Sequence, residues 1–191
     1  MSAPGTDVNS LLADAKARMA KSVEACSQEL ATVRTGRASP ALLDRVTVDY
    51  YGAPTPLRQL ANVAAPEPRL LTIQPYDRSS IAAIERAINE SDLGLTPSND
   101  GTVIRLVLPE LTQERRQELV KVVKGLAEEA KVAVRNVRRD ILHALRERKQ
   151  AAELSEDDER HAEAELQKLT DRFVGEIDQL LKRKEAEILE R

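Results

Sequence analysis

The side chains with the clearest chemical potential are cations repeated at helical spacing. Lys121, Lys124, Lys131, Arg135 and Arg138 fall within roughly a 100° arc of an α-helix, with Arg139 flanking it and Glu128 interrupting it. The run Val134-Arg-Asn-Val-Arg-Arg-Asp140 concentrates three guanidinium groups, whose planar forks match phosphate oxygens better than a lysine ammonium does. A charged arc on a helix is often only a solvated face; the alternative is a rigid rod that follows a nucleic-acid backbone. Aromatic residues make up only 2% of the chain (Tyr50, Tyr51, Tyr76 and Phe173). Such a rod would therefore recognise folded RNA by shape and phosphate, without stacking on splayed bases.

Other chemistries find little support in the residue types. His143 and His161 lie far apart in charged helical sequence and read as solvated residues rather than a metal pair. The acidic run Glu156-Asp-Asp-Glu159 lacks the alternating ligands and glycine of a calcium loop and reads as a helix start. The single cysteine, Cys26, has no disulfide partner and falls on an apolar stripe, where it acts as a small hydrophobe. No nucleophile stands beside a base, and no glycine-rich phosphate loop is present, so the expectation is a binding protein that is not an enzyme and uses no cofactor or metal. No apolar run reaches membrane-spanning length, and Met1 to Asn9 has neither the basic start nor the apolar middle of a signal peptide. These features predict a soluble cytoplasmic protein.

The elements that position the arc follow from hydrophobic spacing. Hydrophobic residues form 41% of the 191 and charged residues 32%, a composition suited to helical bundles. A first helix is predicted from Asp7 or Asn9, with Leu12, Met19, Val23, Cys26, Leu30 and Val33 on its seam. A second should start after a Thr112 cap and run to about Gln150, over Leu119, Val123, Leu126, Ala130, Ala133, Val137, Ile141 and Ala144. A third is capped by Ser155, with Ala162, Leu166, Leu169, Phe173, Ile177, Leu180 and Ile188 inward. None can bury its stripe alone, and together they predict an antiparallel three-helix bundle. Charge is segregated: Leu111 to Gln150 carries eleven Lys/Arg against six Asp/Glu, and Ala151 to Arg191 seven against thirteen, under a net charge of −3.

Between the first and second helices the pattern changes. All three tyrosines and most of the nine prolines occur there, and short alternating runs replace helical spacing. Arg45–Tyr50 reads as a strand followed by a turn-forming Gly52–Pro56 loop, Arg69–Gln74 as a second strand and Thr102–Val107 as a third. Ser79–Asp92 reads as a helix, started by Asp77 or Ser79 and stopped at Gly94. The prediction is an α+β chain: residues 1–35 and 110–191 form the bundle, and 36–109 an inserted β/α/β head. Two crossings join them, Thr35-Gly36-Arg37 and Leu108-Pro109-Glu110, which are natural hinge positions.

Several ordered motifs carry a resemblance. Val33-Arg-Thr-Gly-Arg-Ala-Ser-Pro40, Tyr50-Tyr-Gly-Ala-Pro-Thr-Pro-Leu-Arg-Gln-Leu60, Ser91-Asp-Leu-Gly-Leu95, Leu111-Thr-Gln-Glu-Arg-Arg116 and Ala133–Asp140 closely resemble the ribosome recycling factor family, as does the Lys182-Arg-Lys-Glu-Ala-Glu stretch. Apart from a short extra N-terminal stretch, the resemblance covers the whole chain. It implies an L-shaped molecule with the dimensions of a transfer RNA, expected to act as a monomer. It also implies binding to large-subunit ribosomal RNA of the post-termination ribosome. With elongation factor G and GTP, subunit separation and release of messenger and deacylated transfer RNA would follow. By motif match the RNA contacts fall to Arg135, Arg138 and Arg139, and further to Arg34, Arg37 and Arg116, beside the arc lysines Lys121, Lys124 and Lys131. The rival expectation is a helical protein-interaction adaptor without RNA binding, which would lack the steep salt dependence of phosphate neutralisation.

Overall fold

The computed structural model describes residues 7–190. Most of the N-terminal stretch read for a targeting signal, and Arg191, lie outside the described residues. The chain divides into two compact units, one of residues 1–34 with 113–191 and the other of residues 35–112.

The larger unit consists of three helices: α1 (Val8–Thr32), α4 (Gln113–Gln150) and α5 (Glu156–Leu189). The Asp7 carboxylate accepts from Ser10 N at 2.6 Å and caps α1. The Ser155 hydroxyl accepts from Asp158 N at 3.1 Å at the start of α5, where Glu156 to Glu159 face the positive end of the helix dipole. Between them α4 ends in a tight reversal. Ala152 is left-handed (φ 57°), its N–H donates to Lys149 O, and Glu153 N donates to Arg148 O, each at 3.0 Å, the paired closure of a Schellman motif.

Burial corrects the predicted seams. In α4 the buried residues are Leu119, Val123, Ala127, Ala130, Val134, Val137, Ile141 and Leu145, while Leu126, Ala133 and Ala144 are half-buried. A one-residue error on a helix is a rotation of about 100°, so the true stripe lies closer to the basic arc than the spacing suggested. α1 buries Ala15 with Met19, Cys26 and Leu30, and leaves Leu12, Val23 and Val33 half-covered. Burial pushes the Cys26 thiol above its ordinary pKa, consistent with an inert packing role. In α5 Thr170 is buried where Leu169 was expected; its hydroxyl donates to Leu166 O at 2.9 Å, which satisfies it inside the bundle. Leu169 and Leu180 are half-buried.

The smaller unit is richer in strands than its sequence suggested. β1 (Thr47–Tyr50) and β2 (Ala53–Pro56) form an antiparallel hairpin, and a short turn of helix, α2 (Leu57–Leu60), leads on from it. β3 (Ala61–Glu67), β4 (Leu70–Pro75), β5 (Pro97–Asn99) and β6 (Ile104–Val107) form an antiparallel sheet in the order β3-β4-β6-β5. β2, with two prolines in four residues, is a strand where the sequence predicts a loop, and β3 and β5 have no counterpart among the predicted strands. β5 is three residues long, and β3 is an edge strand carrying Pro66 with weak alternation, a position that tolerates proline.

The helix α3 (Ile81–Glu90) buries Ile84 and Ile88 against Val48, Leu71, Ile73, Ile104 and Leu106. Its entry is a 3-10 turn, Arg78–Ser80, capped by Asp77, whose carboxylate accepts from Ser79 N at 2.9 Å and is held below the usual pKa by that bond. The helix stops at Glu90, and the predicted stop, Gly94, lies beyond it with φ 65°.

Candidate nucleic-acid interface

The basic arc of α4 holds two kinds of cation, those paired within the bundle and those left open. Lys131 is only 14% exposed: its ammonium pairs with Asp178 of α5 and, at 3.4 Å, with Glu128. The Asp178 contact, ahead of Glu128, raises its pKa. Lys124 reaches Glu185 of α5 at 3.9 Å. These lysines lie on the edge of α4 that meets α5, so acids of the neighbouring helix already answer their charge. The spacing alone suggests an arc turned wholly away from the apolar seam, and these pairs at the α4–α5 edge correct that expectation.

The remaining cations differ. Arg135 and Arg139 are exposed, Arg138 is half-buried, and Lys121 is exposed. None of the four has an ion pair or hydrogen bond to another side chain among the described residues. Arg146 joins them: it is exposed, unpaired among the described residues, and seven residues beyond Arg139. It lies outside the dense Arg135–Arg139 cluster on which the sequence expectation rests, although its helical angle lies between those of Arg135 and Arg139. Arg135 to Arg146 spans about 16 Å of helix axis, enough to meet more than one phosphate. Val134, Val137 and Ile141, buried beneath them, fix the backbone from which these arginines project. On the opposite edge Arg18 of α1 donates to Asp140 at 2.8 Å, so Asp140 is engaged away from the arginines.

Arg116, in the first turns of α4, is half-buried and its Nε has no hydrogen-bond partner, although its pattern suggested a phosphate contact. Arg34 and Arg37 are exposed and each already makes an interaction within the chain.

The two crossings are held further into the smaller unit than their sequence implied. Ala38 N donates to Pro68 O at 2.6 Å, and Leu108 N to Arg69 O at 2.8 Å. Leu108 is buried in that unit's core, and Glu110 lies 3.6 Å from Arg69. Leu108 is therefore a packed residue of that unit's core. Thr35, Gly36, Arg37, Pro109 and Glu110 flank the points where the units part. Gly36 has φ 75°, and a Cβ there would stand 2.8 Å from Leu111 Cγ, so its glycine serves a fixed left-handed turn and a close approach.

Comparison with known proteins decides the family. The family model described as ribosome recycling factor matches residues 26–189. The chain belongs to the ribosome recycling factor family. A ribosome-recycling factor of Halalkalibacterium halodurans is 60% identical over 180 residues, covering 94% of this chain and 97% of that one. One of Rubrobacter xylanophilus is 56% identical over 179 residues, with coverage of 94% and 96%. The solution structure of a ribosome recycling factor superposes with TM-score 0.74 at 42% identity, covering 95% of this chain and 97% of that chain. Models for the T. thermophilus ribosome recycling factor and E. coli elongation factor G bound to the E. coli post-termination complex match at TM-score 0.64 and 49% identity, covering 96% and 99%.

Members of this family are translation factors. Among the described residues no helix is long and apolar enough to cross a membrane.

Proposed function

We propose that this chain binds the post-termination ribosome in the cytoplasm and, with elongation factor G and GTP, drives subunit separation. Messenger RNA and deacylated transfer RNA then leave. The observation that carries the reading is the set of unanswered arginines on a rigid helix, Arg135, Arg138 and Arg139 extended by Arg146, in a chain of this family. Guanidinium groups without an intramolecular partner lose no ion pair when they meet ribosomal RNA phosphates. Lys121 adds charge to the same surface, whereas Lys124 and Lys131 contribute less because α5 already pairs them. Arg34, Arg37 and Arg116 are secondary contacts.

The chain itself catalyses nothing in this scheme. GTP hydrolysis belongs to the elongation factor, and this chain supplies binding and a second body, residues 35–112, joined by two short segments through which a push is transmitted. Sedimentation of post-termination ribosomes with the chain, elongation factor G and GTP tests the reading: free subunits should appear only when all three are present. Persistence of intact ribosomes under those conditions would refute it. Binding that is insensitive to salt would instead support a protein adaptor.

A further inference from the structure

Gly125 stands inside α4, where glycine is the least favourable residue after proline. In a bundle the usual reason for such a glycine is a neighbouring helix that leaves no room for a side chain. That reason fails here. Gly125 is exposed, its φ is not in the left-handed range, and a Cβ built on it would meet nothing within 4 Å, unlike Gly36, whose Cβ would strike Leu111. Neither the bundle nor the backbone of α4 requires the missing side chain.

The face around it has an order. At 100° per residue Lys121, Gly125, Val132, Asn136 and Arg139 fall within about a 60° arc, and all five are exposed. An open cation stands at each end, about 27 Å apart along the axis, and the middle is uncharged. Val132 is 49% exposed in that middle, and Val122, one turn before Gly125, is 50% exposed. Two acids border it: Glu128, which lies 3.4 Å from Lys131, and the exposed Glu129.

This order identifies what the face fits. A phosphate lying directly over Gly125 would meet Glu129, so a simple row of phosphates does not match. An A-form RNA duplex presents a wide, shallow minor groove with ribose 2′-hydroxyls and base edges on its floor and phosphates along its two rims. Laid across that groove, α4 sends Lys121 and Arg139 to the rims and rests its uncharged middle on the floor. There riboses pack on Val132, and a 2′-hydroxyl donates to the Glu129 carboxylate. A side chain at position 125 would hold the helix away from the floor.

We propose that α4 lies across the minor groove of a double-helical segment of ribosomal RNA, with Gly125 at the point of closest approach. This deepens the recycling reading and rests on it for the presence of ribosomal RNA. It adds the groove that is read and an uncharged positioning residue on which the fit depends.

An iron chelate tethered to the full chain through Val132→Cys releases hydroxyl radicals, which cut nearby riboses; Cys26, 2% exposed, stays unlabelled. Bound to post-termination ribosomes, this chain should cut both strands of one ribosomal RNA duplex. Cuts confined to single-stranded RNA, or none from chain that sediments with ribosomes, overturn the proposal. Gly125→Ala is the second arm. Alanine favours the helix and enters empty space, so the melting temperature should rise. Ribosome affinity should nevertheless fall about tenfold, and further for Gly125→Gln, with unchanged salt dependence because no charge is removed. Unchanged affinity or a lowered melting temperature overturns the proposal. So does an equal loss of affinity in Gly175→Ala of α5, where a Cβ would also meet nothing within 4 Å, since that would be an effect of helix stiffness. If the parent chain binds ribosomes but separates no subunits, the recycling reading falls while the cuts from position 132 still decide the groove; if it does not bind them, both fall.

Discussion

The two units present their surfaces in opposite chemical terms. The three-helix unit buries its one aromatic residue, Phe173, and exposes charge along a 38-residue helix. The smaller unit places its apolar residues in a compact core and exposes two tyrosines, Tyr51 and Tyr76, the latter 73% exposed. A helix face suits a polyanion because its cations repeat at fixed intervals over a frame fixed from beneath. Within that helix, net charge is a poor guide to availability. Lys131 and Arg135 stand one turn apart, yet one is answered by Asp178 and the other, among the described residues, has no side-chain partner.

The largest effect should come from the frame. Phe173 lies buried in α5, with the Arg172 guanidinium 5.0 Å from its ring centroid. Phe173→Ala should cost about 3–5 kcal/mol through lost burial and a residual cavity, read as a lowered denaturation midpoint of the helical signal. A variant as stable as the parent would mean that the frame does not depend on this seam.

The next effect tests the smaller unit's backbone. Gly36→Ala forces an L-residue into a left-handed position and brings Cβ against Leu111, and should destabilise by about 2 kcal/mol. Adding Leu111→Ala should recover the steric part and leave the conformational part. If Gly36→Ala is neutral, the crossing has the freedom its sequence first suggested, and the close approach to Leu111 is unimportant.

A smaller pair of effects separates the halves of the basic face. Arg135→Ala with Arg139→Ala should weaken ribosome binding by about tenfold or more and flatten its salt dependence by about two units of log-log slope, with stability changed by no more than about 0.5 kcal/mol. Lys131→Met should do the reverse: stability falls by about 1 kcal/mol as Asp178 loses its partner, and binding holds. The sign with pH follows from the raised pKa of Lys131. The pair's contribution is fully present below the ordinary lysine value of 10.5 and is lost as pH rises through the higher folded value, so the difference between parent and variant should close only above that pH. Equal loss of binding in both variants would erase the distinction between paired and open cations.

How far these features were legible in sequence depends on the unit. The helices announced themselves because their apolar residues recur over many turns, and the caps Asp7 and Ser155 stand where side-chain oxygens reach amides. Which residue of each adjacent pair turns inward did not, since Leu126 and Ala127 differ only in where the neighbouring helices lie. The pairing of Lys131 was hidden for the same reason: Asp178 is 47 positions away, and only packing brings it close. In the smaller unit β5 is too short for any period to show, and β2 is half proline. The left-handed state of Tyr51 (φ 50°) was invisible because its residue type argues against it.

The smallest expected effect compares the two left-handed residues other than glycine among the described residues. At Ala152 the φ of 57° serves the closure of α4, and the side chain contributes nothing to that closure. Glycine adopts this conformation without the Cβ penalty, and most of that gain survives the extra freedom glycine gives the unfolded chain. Ala152→Gly should therefore stabilise the helical unit by about 0.5 kcal/mol, visible as a small rise in denaturation midpoint, and leave ribosome binding and subunit separation as they were. Tyr51→Asn relieves the same kind of backbone strain in the turn between β1 and β2 but removes a ring that is 85% exposed. If relief of strain is all that matters, the two substitutions behave alike, each a modest gain in stability with function untouched. A fall in stability confined to Tyr51→Asn would show that the Tyr51 ring, edge-on to Tyr50 at 4.6 Å, holds the hairpin turn.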